Sequence, residues 1–155
     1  MIHLVLVEPE IPQNTGNVAR TCAVTGSVLH LVGPLGFEIS DARLKRAGLD
    51  YWSLLDIRLY ASLEEYFEKN PSPDPWLATT KAVRRHTDAS FRDGCHILLG
   101  KETAGLPRRL LERYPDRTLR IPQIPDAHAR CLNLSNAAAV MCFEALRQTG
   151  VRGMV

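Results

Sequence analysis

Short apolar runs rich in β-branched residues alternate with helical patterns along the chain, and this alternation limits the folds open to it. The runs are His3–Val7, Val28–Val32, Ile57–Tyr60, Trp76–Thr80, His96–Gly100 and Thr118–Ile121, each bounded by turn residues. Between them lie helical patterns at Asn17–Thr25, Asp41–Leu49, Leu63–Lys69, Arg108–Tyr114 and the alanine-rich Leu134–Arg147. Strands separated by helices predict an α/β fold, with a mainly parallel six-stranded sheet covered by helices on both faces. The 155 residues, 45% of them hydrophobic, are enough for one core and too few for two, so residues 1–155 are expected to form a single domain. Ser62 followed by Glu65 is a capping box for the third helix. The stretch 70–75, NPSPDP, is a rigid surface loop.

No run approaches the roughly 20 apolar residues of a membrane span, and the amino-terminal stretch lacks a basic start and a small-residue cleavage site, so a cytoplasmic protein is expected. Cys22, Cys95, Cys131 and Cys142 form no CxxC pair and no His/Cys grouping at zinc spacing, which predicts reduced thiols and neither a metal site nor a disulfide framework. With 19 Lys and Arg against 17 Asp and Glu, the net charge of +2 is far from that of a protein holding nucleic acid by charge alone. Basic residues cluster locally, as Arg43/Lys45/Arg46, Arg84/Arg85/His86 and Arg108/Arg109 with Arg113. Taken alone, each cluster reads as a solvated face.

The first strand and helix are joined without GxGxxG, and the chain has no GxxxxGK[ST], GxSxG or HExxH. Polar and glycine-rich residues gather instead in three segments, each just after a predicted strand, where open parallel sheets place their ligands: Pro12–Arg20, Leu98–Pro107 (LLGKETAGLP) and Ile121–Asn136 (IPQIPDAHARCLNLSN). Each also has a plain structural reading. Asn14-Thr-Gly-Asn17 fits a turn with a helix N-cap, Gly105-Leu-Pro107 a turn into the fourth helix with Glu102 capping it, and Asn133-Leu-Ser-Asn136 a cap of the last helix, with Asn136 favoured for that role.

Taken together and in order, the three segments resemble the motifs of the SPOUT methyltransferases, most closely the TrmL-type (YibK-like) tRNA 2′-O-methyltransferases. The likeness extends over EPEIPQNTGNVAR, RLKRAGLDYW at Arg43–Trp52 and the last helix. It implies a fold whose carboxy-terminal part forms a deep trefoil knot, exceptional under general topology rules. It also implies a homodimer pairing through the first and last helices, with bound S-adenosylmethionine leaving as S-adenosylhomocysteine. The cofactor positions fall on Leu77, Ala78, Gly100, Ile121, Cys131 and Leu132, and Glu102 is the acidic position beside the methyl donor. The third segment departs from the family pattern by carrying Cys131 where relatives usually have Ser, after a longer loop from Asp126 to Arg130.

For the chemistry, the resemblance points to Arg20 as partner of the ribose hydroxyl, as proton acceptor or as phosphate anchor. A guanidinium with a solution pKa of about 12.5–13.8 makes the anchor its easier role. Asn14 and Asn133 would orient the ribose and Arg20, while Asn17, Arg43, Arg46 and Ser135 would meet the substrate, with Lys45, Arg84 and Arg85 adding charge. The implied substrate is the wobble nucleotide of leucine tRNAs, cytidine or modified uridine, with no DNA, membrane or metal involved. Two alternatives stand beside it: a same-fold enzyme acting on another tRNA position or on ribosomal RNA, and a catalytically silent RNA-binding module.

Overall fold

The computed structural model describes residues 1–38, 55–125, 131–151, 153 and 154. Its elements, in chain order, are β1 (His3–Val7), α1 (Pro12–Thr25), β2 (Val28–Val32), β3 (Ile57–Tyr60), α2 (Leu63–Lys69), β4 (Pro75–Ala78), β5 (His96–Leu99), α3 (Arg108–Arg113), β6 (Thr118–Leu119) and α4 (Leu134–Thr149). Short 3-10 turns lie at His86–Asp88 and Pro115–Arg117. The strands make one six-stranded sheet in the order β3-β2-β1-β5-β4-β6, every pair parallel. The α/β reading therefore holds. The helix expected over Asp41–Leu49 lies outside the described residues. So does the longer loop expected at residues 126–130, between β6 and α4.

The sheet is covered on both faces, which is why its central strands are apolar apart from His3, His30 and His96; β2 and β5 are buried throughout. On one face, Leu4, Leu6, Leu29, Leu31, Ile97 and Leu99 pack against Val18, Ala19 and Cys22 of α1 and Ala138, Met141, Cys142 and Ala145 of α4. On the other, Val5, Val7, Val32, Leu77 and Leu98 meet Leu63 and Tyr66 of α2 and Leu110 of α3. At roughly 1.5–3 kcal/mol for each large side chain removed from water, these layers set the fold.

Several expected boundaries move. The first helix begins at Pro12, not Asn17, because proline at its first position has no N–H to leave unpaired and a preset φ; Asn14-Thr-Gly-Asn17 is helical and no turn. Strands β4, β5 and β6 stop one or two residues early, so Thr79, Thr80, Gly100 and Ile121 belong to loops. Ser62 does cap α2, accepting from Glu65 N, while the Glu65 carboxylate accepts from Ala61 N. α1 ends at Gly26, whose left-handed φ of 63° lets its N–H reach Cys22 O.

Candidate active site

The site is built where β1 hands over to α1. Glu8, the residue after β1, is the sole non-glycine residue with positive φ (53°) among the described residues. Such a conformation costs about 1–3 kcal/mol and persists only where the surroundings hold it. Here they do so through the loop after β5. Lys101 Nζ donates to Glu8 Oε2 at 2.8 Å, and Thr103 donates its N–H (3.1 Å) and its hydroxyl (2.8 Å) to the Glu10 carboxylate. In return Glu102 accepts from the backbone N–H groups of Glu10 (2.9 Å) and Ile11 (3.2 Å) and from Asn14 Nδ2 (2.9 Å). Ile11, the N-cap of α1, has no capping side chain of its own, and a carboxylate from a distant loop takes its N–H and that of Glu10 and places a negative charge where it complements the helix dipole.

The third segment joins the same chain of hydrogen bonds. Asn133 Nδ2 donates to Asn14 Oδ1 at 2.9 Å, and Asn133 Oδ1 accepts from Ser135 N (2.8 Å) and Ser135 Oγ (2.7 Å). The cap of α4 is thus Asn133 and not Asn136. Likewise Glu102 caps α1, not the turn into α3. The three segments expected to converge therefore do so, through Ser135–Asn133–Asn14–Glu102.

Beside this network lies a cavity of about 440 Å³, lined by Ala78, Gly100, Ile121, Cys131 and Leu132 together with Asn14, Glu102 and Asn133. Its volume falls in the range of about 300–1,000 Å³ typical of small-ligand sites. Gly100 is required by the packing: a Cβ there would lie 2.0 Å from Gly105 C and 2.1 Å from Leu106 N, because the loop folds back over it. Leu77 is fully buried in the opposite core layer and adjoins the cavity only through the chain. Asn17 and Arg20 are exposed on α1 outside the cavity lining, and Ser135 is buried behind Asn133. Arg43 and Arg46, with Lys45, lie outside the described residues. The other basic clusters are largely engaged within the chain. Arg108 pairs with Glu112, Arg109 with Glu64, Arg113 lies over the Phe67 ring, and Arg84 donates to Asp116 O.

The model of the SpoU rRNA Methylase family matches residues 1–143. The chain belongs to this family. Relatives within it are close. A tRNA (cytidine(34)-2′-O)-methyltransferase of Burkholderia cenocepacia is 47% identical over 99% of each chain. A solved structure concerned with 2-OH methylation of C/U34 on tRNA is 45% identical, covers 96% of this chain and 95% of its own, and superposes with a TM-score of 0.88. An AdoMet-bound rRNA methyltransferase from Sinorhizobium meliloti is 25% identical, with a TM-score of 0.81 over 94% of this chain and 56% of its own.

In this SpoU-family chain the reading of motifs missed several residues. Glu8 and Glu10 carry no role in the motif reading, and only the folded chain sets them against Lys101 and Thr103. Thr79, Lys81, Ala137 and Met141 also line the cavity. Thr79 and Lys81 follow a strand end, a signal that could have found them; Ala137 and Met141 are hidden among the core positions of an apolar helix.

Proposed function

We propose that this protein transfers a methyl group from S-adenosylmethionine to the ribose 2′-oxygen of nucleotide 34 in tRNA. The observation that carries the reading is the hydrogen-bonded chain from Glu102 to Ser135, which brings three separate segments to one wall of a cavity fit for a nucleoside-sized ligand. Relatives covering nearly all of the chain and named for this reaction support it.

The lining suits the cofactor: Ala78, Leu119, Ile121, Leu132 and Met141 offer an apolar slot, and Gly100 allows close backbone approach. S-adenosylmethionine supplies, when bound, an electrophilic methyl group on a sulfonium centre. The chain's own work is to orient the ribose and assist loss of its hydroxyl proton. Asn14 and Asn133, fixed by each other and by Glu102, orient the sugar from one side. Arg20 and Asn17, one turn apart on the exposed side of α1, meet the substrate, with Arg20 gripping a phosphate beside the reacting hydroxyl. Ser135 holds Asn133. Two copies pair through α1 and α4, where Val24, Val140 and Phe143 are exposed on helices otherwise packed against the sheet. The protein acts in the cytoplasm, on leucine tRNAs.

The test is methyl incorporation from labelled donor into purified leucine tRNAs, beside the same tRNAs carrying a 2′-deoxy nucleotide at position 34. Label in the former and none in the latter is expected. Equal incorporation into both would overturn the assignment of position 34, and label in ribosomal RNA alone would move the substrate to another RNA.

A further inference from the structure

Three histidines that no spacing connects in the sequence meet inside the sheet. His3 opens β1, His96 opens β5 directly opposite it, and His30 stands midway along β2 on the other side of β1. His30 and His96 are buried and His3 half-buried. One ring nitrogen from each falls in a group whose members all lie within 4.8 Å of one another, and His3 Nδ1 shares a hydrogen bond of 2.8 Å with His30 Nε2. We propose that His3, His30 and His96 form a binding site for one divalent transition-metal ion of the zinc class.

The surroundings of the rings are those of ligands. His30 Nδ1 is hydrogen-bonded to the Tyr60 hydroxyl at 2.9 Å and His96 Nδ1 to the Tyr66 hydroxyl at 2.7 Å, and Asn70 Nδ2 donates to the Tyr60 oxygen. Both rings are thus held by Nδ1, leaving Nε2 for an ion; metal-bound histidines are held in the same way by a partner on the remote nitrogen. Burial pushes His30 and His96 down to about 3 and also lowers His3, which keeps the imidazoles in the neutral, ligating form at physiological pH. The positive charges nearby are offset: Arg58 is held by Asp56 through two hydrogen bonds, and the chain's amino terminus pairs with Asp93. Three polar rings in a core also have to be desolvated, which three apolar side chains of the same volume would avoid.

One adjustment is required. The His3 ring lies face to face with that of His96, centroids 4.2 Å apart and planes 8° from parallel, so the two cannot direct lone pairs at one ion as they stand. Rotation of the half-buried His3 ring turns its nitrogen inward, and the ion then takes the place of the proton shared with His30. Bonds of about 2.0–2.1 Å draw the three nitrogens together and leave the fourth position to water on the His3 side. The site sits at the starts of β1 and β5, at the opposite edge of the sheet from the loops that form the cavity, so the ion clips β2, β1 and β5 together. It does not depend on the methyl-transfer reading.

The test uses the full chain stripped with chelator, titrated with zinc by calorimetry and followed by thermal denaturation, with cobalt(II) absorption as the report on geometry. One ion per chain, a raised Tm and a tetrahedral-type cobalt spectrum are expected. His3→Asn should weaken zinc binding about a hundredfold and Tyr66→Phe about ten- to a hundredfold, the range seen when a ligand's outer partner is removed; His86→Asn should leave it unchanged. Should His3→Asn not fold, Tyr66→Phe decides. Absence of saturable uptake, or uptake indifferent to both variants, would overturn the proposal.

Discussion

At Glu102 one carboxylate accepts three hydrogen bonds, two from the backbone N–H groups of Glu10 and Ile11 just before α1 and one from Asn14 in its first turn, so its two oxygens hold the first and second segments together. An amide of the same shape has one acceptor atom, and its NH2 would face either the Glu10 N–H or the Ile11–Asn14 pair. Glu102→Gln is therefore expected to lower stability by about 1–3 kcal/mol, the cost of leaving one sheltered donor unpaired. A lower urea midpoint at unchanged m-value would show it; an unchanged midpoint would mean that the loop after β5 is held by Lys101 and Thr103 alone. Gly100 is the complementary case, where a single added carbon matters. Gly100→Ala places a methyl group 2.0 Å from backbone that cannot yield without moving the loop. Calorimetry should find S-adenosylmethionine affinity reduced by a factor of ten or more, about 1.4 kcal/mol.

At the scale of elements, α4 performs two tasks through Asn133, and the two can be separated. Its Oδ1 caps the helix while its Nδ2 reaches Asn14. Aspartate caps as well as asparagine but has no donor, so Asn133→Asp should keep the melting temperature near that of the parent while methyl transfer falls; Asn133→Ala should lose both, with about 1 kcal/mol of stability. Equal turnover by the Asp variant would detach the Asn14 link from function. The strands were legible because a sheet covered on both faces writes itself as largely apolar runs bounded by turn residues: β1, β2 and β3 lie where the pattern put them. The start of α1 was missed although Pro12 is a local signal for it; the carboxylate that holds its entry, Glu102, lies some 90 residues away along the chain (102 against 11), and no local pattern carries that contact. The same holds for the histidine cluster, whose members come from three strands that only the sheet order makes neighbours.

Over the whole molecule, the two apolar layers and the cavity sort the four cysteines by environment. Cys22, Cys95 and Cys142 are buried in the layer under α1 and α4, and Cys131 is exposed at the cavity wall. Burial raises the first three thiols above their ordinary range, Cys95 to about 11, which suppresses the reactive thiolate as well as access to it. A disulfide reagent at neutral pH should therefore modify one thiol per folded chain rapidly and all four after unfolding in guanidinium. Because Cys131 lines the same cavity as Gly100 and Ile121, S-adenosylmethionine should slow that one reaction in proportion to its occupancy of the site. Two rapid thiols would mean that a core layer opens on the timescale of labelling. A single thiol whose rate ignores saturating S-adenosylmethionine would place the cofactor elsewhere, because a ligand filling this cavity cannot leave an exposed sulfur on its wall equally open to attack.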